Sequence, residues 1–133
     1  MDVTVVIPVG SAMVDEWGRR CARRLIELGV PIALGTGLGV STNGGDSMLD
    51  TLRAGCDRLG LSPAEALVAS TVNAAFASGV GDDIGSLEPG KRADLLIVDL
   101  PSYSHLPYQS STDPIRAVVK DGWVVVEEGC RVA

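Results

Sequence analysis

The pattern of hydrophobic and polar positions along the chain changes near residue 79. Before it, continuous β-branched runs alternate with stretches in which apolar residues recur every three or four positions, which is typical of parallel strands and helices. After it, short apolar runs are separated by Pro-Gly and Asp-Gly pairs that predict turns. We therefore expect an α/β segment over residues 1–79 and a β-rich segment over residues 80–133.

Two apolar runs without alternation, Val3–Val9 and Val30–Thr36, predict parallel strands covered on both faces. Between them, residues 15–28 predict an amphipathic helix whose arginine-rich side is expected to be solvated. Strand, helix and strand imply a right-handed crossover. The glycine-rich stretch Gly37–Ser47 is then a loop at the carboxyl end of the second strand, where α/β sheets and barrels bind ligands.

Two serines mark the starts of further helices. Ser47 is expected to cap a helix that ends at Gly60. Ser62 begins a capping box with Pro63 at the first helical position, and it opens an alanine-rich helix through about Ala77. The positions expected to face the core are Met48, Leu52, Cys56 and Leu59 in the first helix and Leu67, Val68, Thr71, Val72, Ala75 and Phe76 in the second.

The β-rich segment contains three predicted strands. The first is Ala93–Leu100. The other two, Ile115–Lys120 and Trp123–Glu127, flank Asp121-Gly122, a strong signal for a tight hairpin. We expect the stretch Pro101–Pro114 to be a polar loop without regular structure.

Composition narrows the possible partners and location. The chain has 133 residues, of which 46% are hydrophobic, and a net charge of −6 with its basic residues scattered, so nucleic acid is not an expected partner. No apolar run approaches the roughly 20 residues of a membrane span, and the N-terminus lacks the basic stretch of a signal peptide. Cys21, Cys56 and Cys130 are odd in number and lack metal-site spacing, which favours a reducing compartment. We expect a cytoplasmic protein without membrane contact.

The order of several motifs then points to a family. They are ALGTG at 33–37, LSPAEAL at 61–67, TVNAA at 71–75, GSLEPGKRADLLIVD at 85–99 and PIRAVVKDGWVV at 114–125. Together they resemble the C-terminal portion of metal-dependent amidohydrolases. HLPY at 105–108 makes the imidazolonepropionase branch the most similar, and GDSMLDTLRAG at 45–55 makes cytosine-deaminase-like members the next.

The resemblance implies a fold and a reaction. The first segment would supply the last two βα units of a (β/α)8 barrel, and the second would be a small β-rich part of a composite sandwich. The family reaction is hydrolysis of a non-peptide C–N bond in a cyclic amide, for which bound zinc or iron activates water. Barrel units one to six have no counterpart in this sequence.

The resemblance also assigns site residues, and most of them are replaced or missing. Gly37 stands where the family has a metal-binding aspartate after the eighth strand, and Thr42 stands at a threonine near the substrate. We expect no catalytic residue, metal ligand or cofactor in this chain. His105 is expected to be a surface or packing residue, because no second ligand lies at usable spacing. Asp94 and Asp99 are expected to be solvated.

Three functional readings follow. The chain is an imidazolonepropionase-like fragment that is inactive alone, or a non-catalytic binding or interaction domain derived from an amidohydrolase, or one half of a split enzyme. Strand edges left open by the missing units predict a homo-oligomer or a complementary chain. A small molecule bound near Thr42 is a further expectation.

Overall fold

A computed structural model describes residues 3–9, 16–37, 47–109 and 113–132. In chain order the elements are β1 (Val5–Pro8), α1 (Glu16–Glu27), β2 (Ile32–Gly35), α2 (Met48–Leu59), α3 (Pro63–Ser70), α4 (Val72–Ala77), β3 (Leu95–Val98), a 3-10 helix (Tyr103–Tyr108), β4 (Ile115–Lys120), β5 (Trp123–Glu127) and β6 (Cys130–Arg131). The fold is therefore mixed α/β, as predicted. The proposed boundary near residue 79 stays a prediction.

The first two strands form a parallel pair, as their uninterrupted apolar sequences indicated. Val5 lies opposite Ile32 and Pro8 opposite Gly35, with α1 as the crossover. Side chains alternate between the two faces of a strand. Ile32 and Leu34 therefore share one face, and both belong to the buried cluster formed with the helices.

The core lies between β2 and the helices α1, α2 and α3. A Cβ added to Gly55 of α2 would lie 2.7 Å from the Leu34 Cδ1 atom, so a larger residue would force the Leu34 side chain to shift. Ala66 of α3 is fully buried. The buried cluster comprises Val9, Ala22, Ile32, Leu34, Leu52, Cys56, Leu59, Leu61, Ala66 and Ala69.

The predicted helix ends are confirmed. The Ser47 hydroxyl accepts a hydrogen bond from the Leu49 amide at 3.1 Å, and Gly60 ends α2 in the left-handed conformation with φ 68°. Ser62 and Glu65 form the reciprocal capping box, with Pro63 in the first helical turn. These local signals set the bounds of α2 and the start of α3.

The prediction of one continuous helix through Ala77 was wrong. Thr71, with φ −121° and ψ −86°, separates α3 from α4. The expected inward face was also partly wrong, because Val68 and Phe76 are exposed while Ala66 and Ala69 are buried. Small side chains let α3 pack closely on β2, so alanine rather than the larger residues faces the core.

Exposed apolar residues also mark the outer surfaces of the other two helices. Trp17 of α1, Leu28 directly after α1 and Met48 of α2 are exposed, although Met48 was expected to face the core. Ala22 of α1 is fully buried in the core, and Leu25 and Ile26 pack against the core while partly exposed. Helical spacing identified an apolar face but not the part of it that the fold covers.

The arginine-rich side of α1 is not simply solvated, which corrects the prediction. The Arg19 guanidinium donates to the carbonyl oxygens of Asp57 and Arg58 at 2.6 and 3.0 Å. The Arg23 guanidinium donates to both Glu65 carboxylate oxygens at 2.9 and 3.0 Å. These contacts join α1 to the end of α2 and the start of α3.

The β-rich segment forms an antiparallel sheet in the order β3-β4-β5-β6. The predicted hairpin is confirmed, since Asp121 and Gly122 have φ 50° and 84°, positive at both central residues as a type I′ turn requires. Glu128 and Gly129 make a second tight turn, which leads into the unpredicted strand β6.

The stretch between Pro101 and Pro114 was predicted to lack regular structure, yet it contains the 3-10 helix. This helix packs against α2 and α3. Pro107 is fully buried, and its carbonyl accepts a hydrogen bond from Arg53 Nε at 3.0 Å. The Gln109 carbonyl accepts from the same guanidinium. Arg53 thus gives a proline-rich segment a fixed place that local sequence does not indicate.

No helix in the described ranges is long and apolar enough to cross a membrane.

We expect Glu65→Gln to lower the free energy of unfolding at pH 7 by about 1 kcal/mol, because the Arg23–Glu65 pair is 41% and 31% exposed and solvent screens it. Hydrogen bonds from Arg23 lower the pKa of Glu65 from 4.5 to about 2. A carboxyl with a lowered folded-state pKa stabilises the fold above its unfolded value and loses that contribution as pH falls through the folded value. Urea denaturation between pH 7 and 2 should therefore show a shallower pH dependence for the variant below about pH 4.5.

Glu27→Gln is the matched control, because Glu27 pairs with Arg24 within α1 and both side chains are more than half exposed. Equal effects of the two substitutions would contradict a special role for the contact between α1 and α3. Glutamine at 65 can still accept from the Ser62 amide, so the cap is retained.

Candidate functional site

The carboxyl ends of β1 and β2 lie side by side. The Val9 amide donates to the Gly35 carbonyl at 3.0 Å, just after the pair of Pro8 with Gly35. Thr36 and Gly37 come directly after β2 in the sequence, and both are half-buried. Parallel sheets often bind ligands at this end of their strands. Gly37 lies there, and its role in a site stays a prediction.

Gly37 adopts the left-handed conformation, with φ 70°. Aspartate in this conformation carries a strain of roughly 1 kcal/mol that glycine avoids. The position therefore lacks a carboxylate and has a backbone that suits glycine. Thr42, predicted to lie near a substrate, is outside the described residues.

The described residues do not supply a metal-binding set. Within the ranges that the structure covers, no three His, Cys, Asp or Glu side chains are grouped so that they could hold an ion. His105 is exposed on the 3-10 helix, and its Nδ1 atom lies 3.4 Å from the Ser102 carbonyl oxygen. Zinc or iron sites of the hydrolytic kind need three or more converging ligands, which these side chains do not provide.

Lys91, within the GSLEPGKRADLLIVD motif, makes structural contacts with the end of α4 and the loop that follows it. Its Nζ atom donates to the Gly81 carbonyl at 2.7 Å and lies 5.9 Å from the centre of the Phe76 ring. Only 15% of its side chain is exposed. Lys91 therefore attaches the motif to the loop that follows α4.

Gly85, which begins the motif, is packed directly on α4. Its φ is 99°, and a Cβ built there would lie 2.7 Å from the Ala75 Cβ atom. A few residues on, the Arg92 amide donates to the Asp83 carbonyl at 2.9 Å. The glycine and these backbone contacts hold the motif against the end of α4.

Asp94 connects the motif to the β4–β5 hairpin. Its carboxylate accepts from the Asp121 amide at 2.8 Å and from Arg92 Nη2 at 2.9 Å, and it also pairs with Lys120 Nζ. The hydrogen bond from Lys120 is the largest cause that lowers the pKa of Asp94 below its usual range. The expectation of a solvated carboxylate was wrong for Asp94, since its side chain has three partners.

Asn73, in the TVNAA motif, fixes α4 to β2. Its side-chain amide donates to the Ile32 carbonyl at 2.8 Å. Sequence reasoning did not single out this residue, although an asparagine among small apolar residues of a helix is a signal that it binds backbone elsewhere. The motif therefore has a structural role at the strand that leads to Gly37.

We expect Asp94→Ala to increase amide hydrogen exchange at Asp121 at least about tenfold, because that amide loses its acceptor and the turn loses a tie to β3. Asp99→Ala is the matched control at the other end of β3, because Asp99 is exposed. Exchange measured by NMR should leave Asp121 slow in the control. Equal exchange in both variants would show that Asp94 does not hold the hairpin.

Comparison with known proteins agrees with the motif order. The sequence model of the amidohydrolase family matches residues 8–125. Imidazolonepropionase of Geobacillus kaustophilus (strain HTA426) is 43% identical over 108 residues, which are 81% of this chain and 26% of that enzyme. The imidazolonepropionase of Geobacillus sp. (strain WCH70) is 42% identical over 127 residues, 96% of this chain and 30% of that enzyme.

The fold agrees as well. An adenosine deaminase from Xanthomonas campestris with bound zinc matches with a TM-score of 0.79 and 28% identity, over 98% of this chain and 33% of that one. The chain spans about a quarter to a third of the length of the relatives it matches. With a family match over most of its residues and an amidohydrolase-like fragment as its fold, the chain belongs to the amidohydrolase family.

Proposed function

We propose that the chain is the C-terminal portion of an imidazolonepropionase-like amidohydrolase and does not catalyse hydrolysis by itself. Identities of 42–43% to imidazolonepropionases support the branch. In this proposal β1 and β2 are the last two strands of a (β/α)8 barrel, and β3 to β6 are part of the composite sandwich. A cytoplasmic location belongs to the proposal and is supported by the three free cysteines.

The proposal that the chain is inactive by itself rests on Gly37. The family reaction hydrolyses a non-peptide C–N bond in a cyclic amide, and a metal activates the water when it is bound. A carboxylate after the last barrel strand would bind the metal and accept the proton of that water. Glycine at this position can do neither, and the described residues do not fit zinc or iron, so we derive no step through the metal.

What this chain contributes is the scaffold at the barrel end. The Asn73 side chain binds the backbone of β2. Gly85, Lys91 and Asp94 fix the segment between α4 and the β4–β5 hairpin. These contacts attach α4 to the start of β2 and the motif to α4 and the hairpin. Thr42 remains our candidate for substrate contact.

A second candidate is a non-catalytic binding or interaction domain derived from an amidohydrolase. One observation favours it: the four-stranded sheet carries exposed apolar side chains on both faces, including Leu96 and Ile97. Such a sheet is an interaction surface whether or not any partner supplies catalytic groups. A homo-oligomer or a complementary chain is consistent with either candidate.

The isolated chain, supplied with Zn²⁺ or Fe²⁺, is expected to show no hydrolysis of imidazolonepropionate above the uncatalysed rate. The Geobacillus kaustophilus imidazolonepropionase, assayed under the same conditions, is the positive control. Gly37→Asp is expected to remain inactive as well, because one restored carboxylate does not complete a ligand set. Turnover by the unmodified chain at about 1 per second, an ordinary enzyme rate, would overturn the proposal.

A further inference from the structure

A groove opens at the amino end of β2, at the end of the strand opposite to Gly37. Its volume is about 400 Å³, within the range of roughly 300–1,000 Å³ that is typical of small-molecule sites. The groove lies between the α1–β2 connection, α3 and α4, and its lining residues include Ile26, Val30, Pro31, Glu65, Val68 and Asn73. We call it the amino-end groove.

The walls of the amino-end groove are mainly apolar. Val30 and Pro31 belong to the α1–β2 connection, and Val68 belongs to α3. Val68 was expected to face the core, yet it is 46% exposed because α3 buries its alanines instead. Its exposed side chain lies at the groove. A ligand with an apolar body that covers Val68 removes apolar surface from water, which favours binding.

Asn73 supplies an oriented hydrogen-bond acceptor in the amino-end groove. Its Nδ2 atom donates to the Ile32 carbonyl at 2.8 Å, which fixes how the side-chain amide is turned. Among the residues that the structure describes, none donates a hydrogen bond to the Asn73 Oδ1 atom, and this oxygen is not enclosed. A side-chain amide oxygen has lone pairs for two hydrogen bonds. The Oδ1 atom is therefore available to an N–H or O–H group of a ligand.

The charge of the amino-end groove selects against ionic ligands. Glu65 is the charged residue of its lining, and both carboxylate oxygens accept from the Arg23 guanidinium at 2.9 and 3.0 Å. The Ser62 amide donates to the same carboxylate at 2.8 Å. A cationic ligand would have to displace Arg23, and an anionic ligand would be repelled by the carboxylate. The groove therefore suits a neutral ligand.

We infer that the amino-end groove binds a small neutral molecule with an apolar body and one N–H or O–H donor. The apolar body lies against Val30, Pro31 and Val68, and the donor group binds Asn73 Oδ1. The inference goes beyond the proposed function, because it uses neither the position of Gly37 nor any step of hydrolysis. A bound molecule would connect α3 and α4 to the segment that leads into β2.

A pair of probes that differ in one group tests the ligand class. Indole has an apolar body and one N–H donor, whereas benzofuran has nearly the same shape and an oxygen in place of the N–H. Each is titrated into the full chain labelled with ¹⁵N and followed by NMR. We expect indole to give saturable shifts at the Val68 amide and the Asn73 side-chain amide, and none at the Asp121 amide in the distant hairpin. Benzofuran should bind about fivefold more weakly, because it cannot donate to Asn73 Oδ1.

Substitutions then test the groove itself. Val68→Asp is expected to weaken the binding of indole at least about tenfold, because it places a charge in the apolar wall. Leu87→Asp is the matched control, since Leu87 is 74% exposed and does not line the groove, and it should leave the affinity unchanged. Both positions are exposed, so neither substitution is expected to unfold the chain, and circular dichroism checks this.

Three results would overturn the inference. One is the absence of a saturable shift with indole up to its solubility limit. Another is equal affinity for indole and benzofuran, since the Asn73 acceptor would then have no role. The third is binding of indole that Val68→Asp leaves unchanged, which would place the molecule elsewhere. The comparison of the two probes uses the unmodified chain, so it decides the matter even where a variant does not fold.

Discussion

The close approach of α2 to β2 is the contact on which the α/β part of the chain depends. Gly55 lets the Leu34 side chain approach the α2 backbone, and Leu59 and Leu61 extend the same buried cluster. A pair of parallel strands has little stability without covered faces. The helices therefore stabilise β2, and β2 in turn sets the position of Gly37 at its carboxyl end.

Polar contacts then fix the helices relative to one another. Arg19 and Arg23 connect α1 to the end of α2 and to Glu65, and Arg53 binds the carbonyl groups of the 3-10 helix. Guanidinium groups suit this role because several N–H donors can reach carbonyl and carboxylate oxygens at once. The β-rich segment packs on α2 and α3 through the 3-10 helix, and none of the described helices contacts its four-stranded sheet.

Local signals in the sequence predicted the elements that depend on neighbouring residues. The caps at Ser47 and Ser62 and the turn at Asp121-Gly122 need only a few adjacent residues, and all were confirmed. The break at Thr71 and the strand β6 were missed. The exposure of Trp17 depends on what the rest of the fold covers, which helical spacing cannot report.

The candidate site could be predicted from the sequence only in part, because its residues are brought together by contacts between distant segments. The position of Gly37 after a buried strand followed from the order of the motifs, and the structure has it at the sheet edge expected for a ligand. The structural roles of Asn73 and Lys91 could not be predicted from the sequence. Asn73 binds the carbonyl of Ile32, which is distant in sequence, and Lys91 binds a carbonyl in the loop that follows α4. The role of Thr42 remains a prediction.

The residues that make the family recognisable have structural roles in this chain. Lys91 and Asp94 lie in the most recognisable motif, and both bind groups of this chain itself. Such contacts are needed for packing whether or not a carboxylate follows β2. Glycine at position 37 does not disturb these contacts, because a left-handed backbone position accepts glycine without strain. The contacts that make the scaffold recognisable are thus independent of the residue that follows β2, and family membership alone does not imply activity.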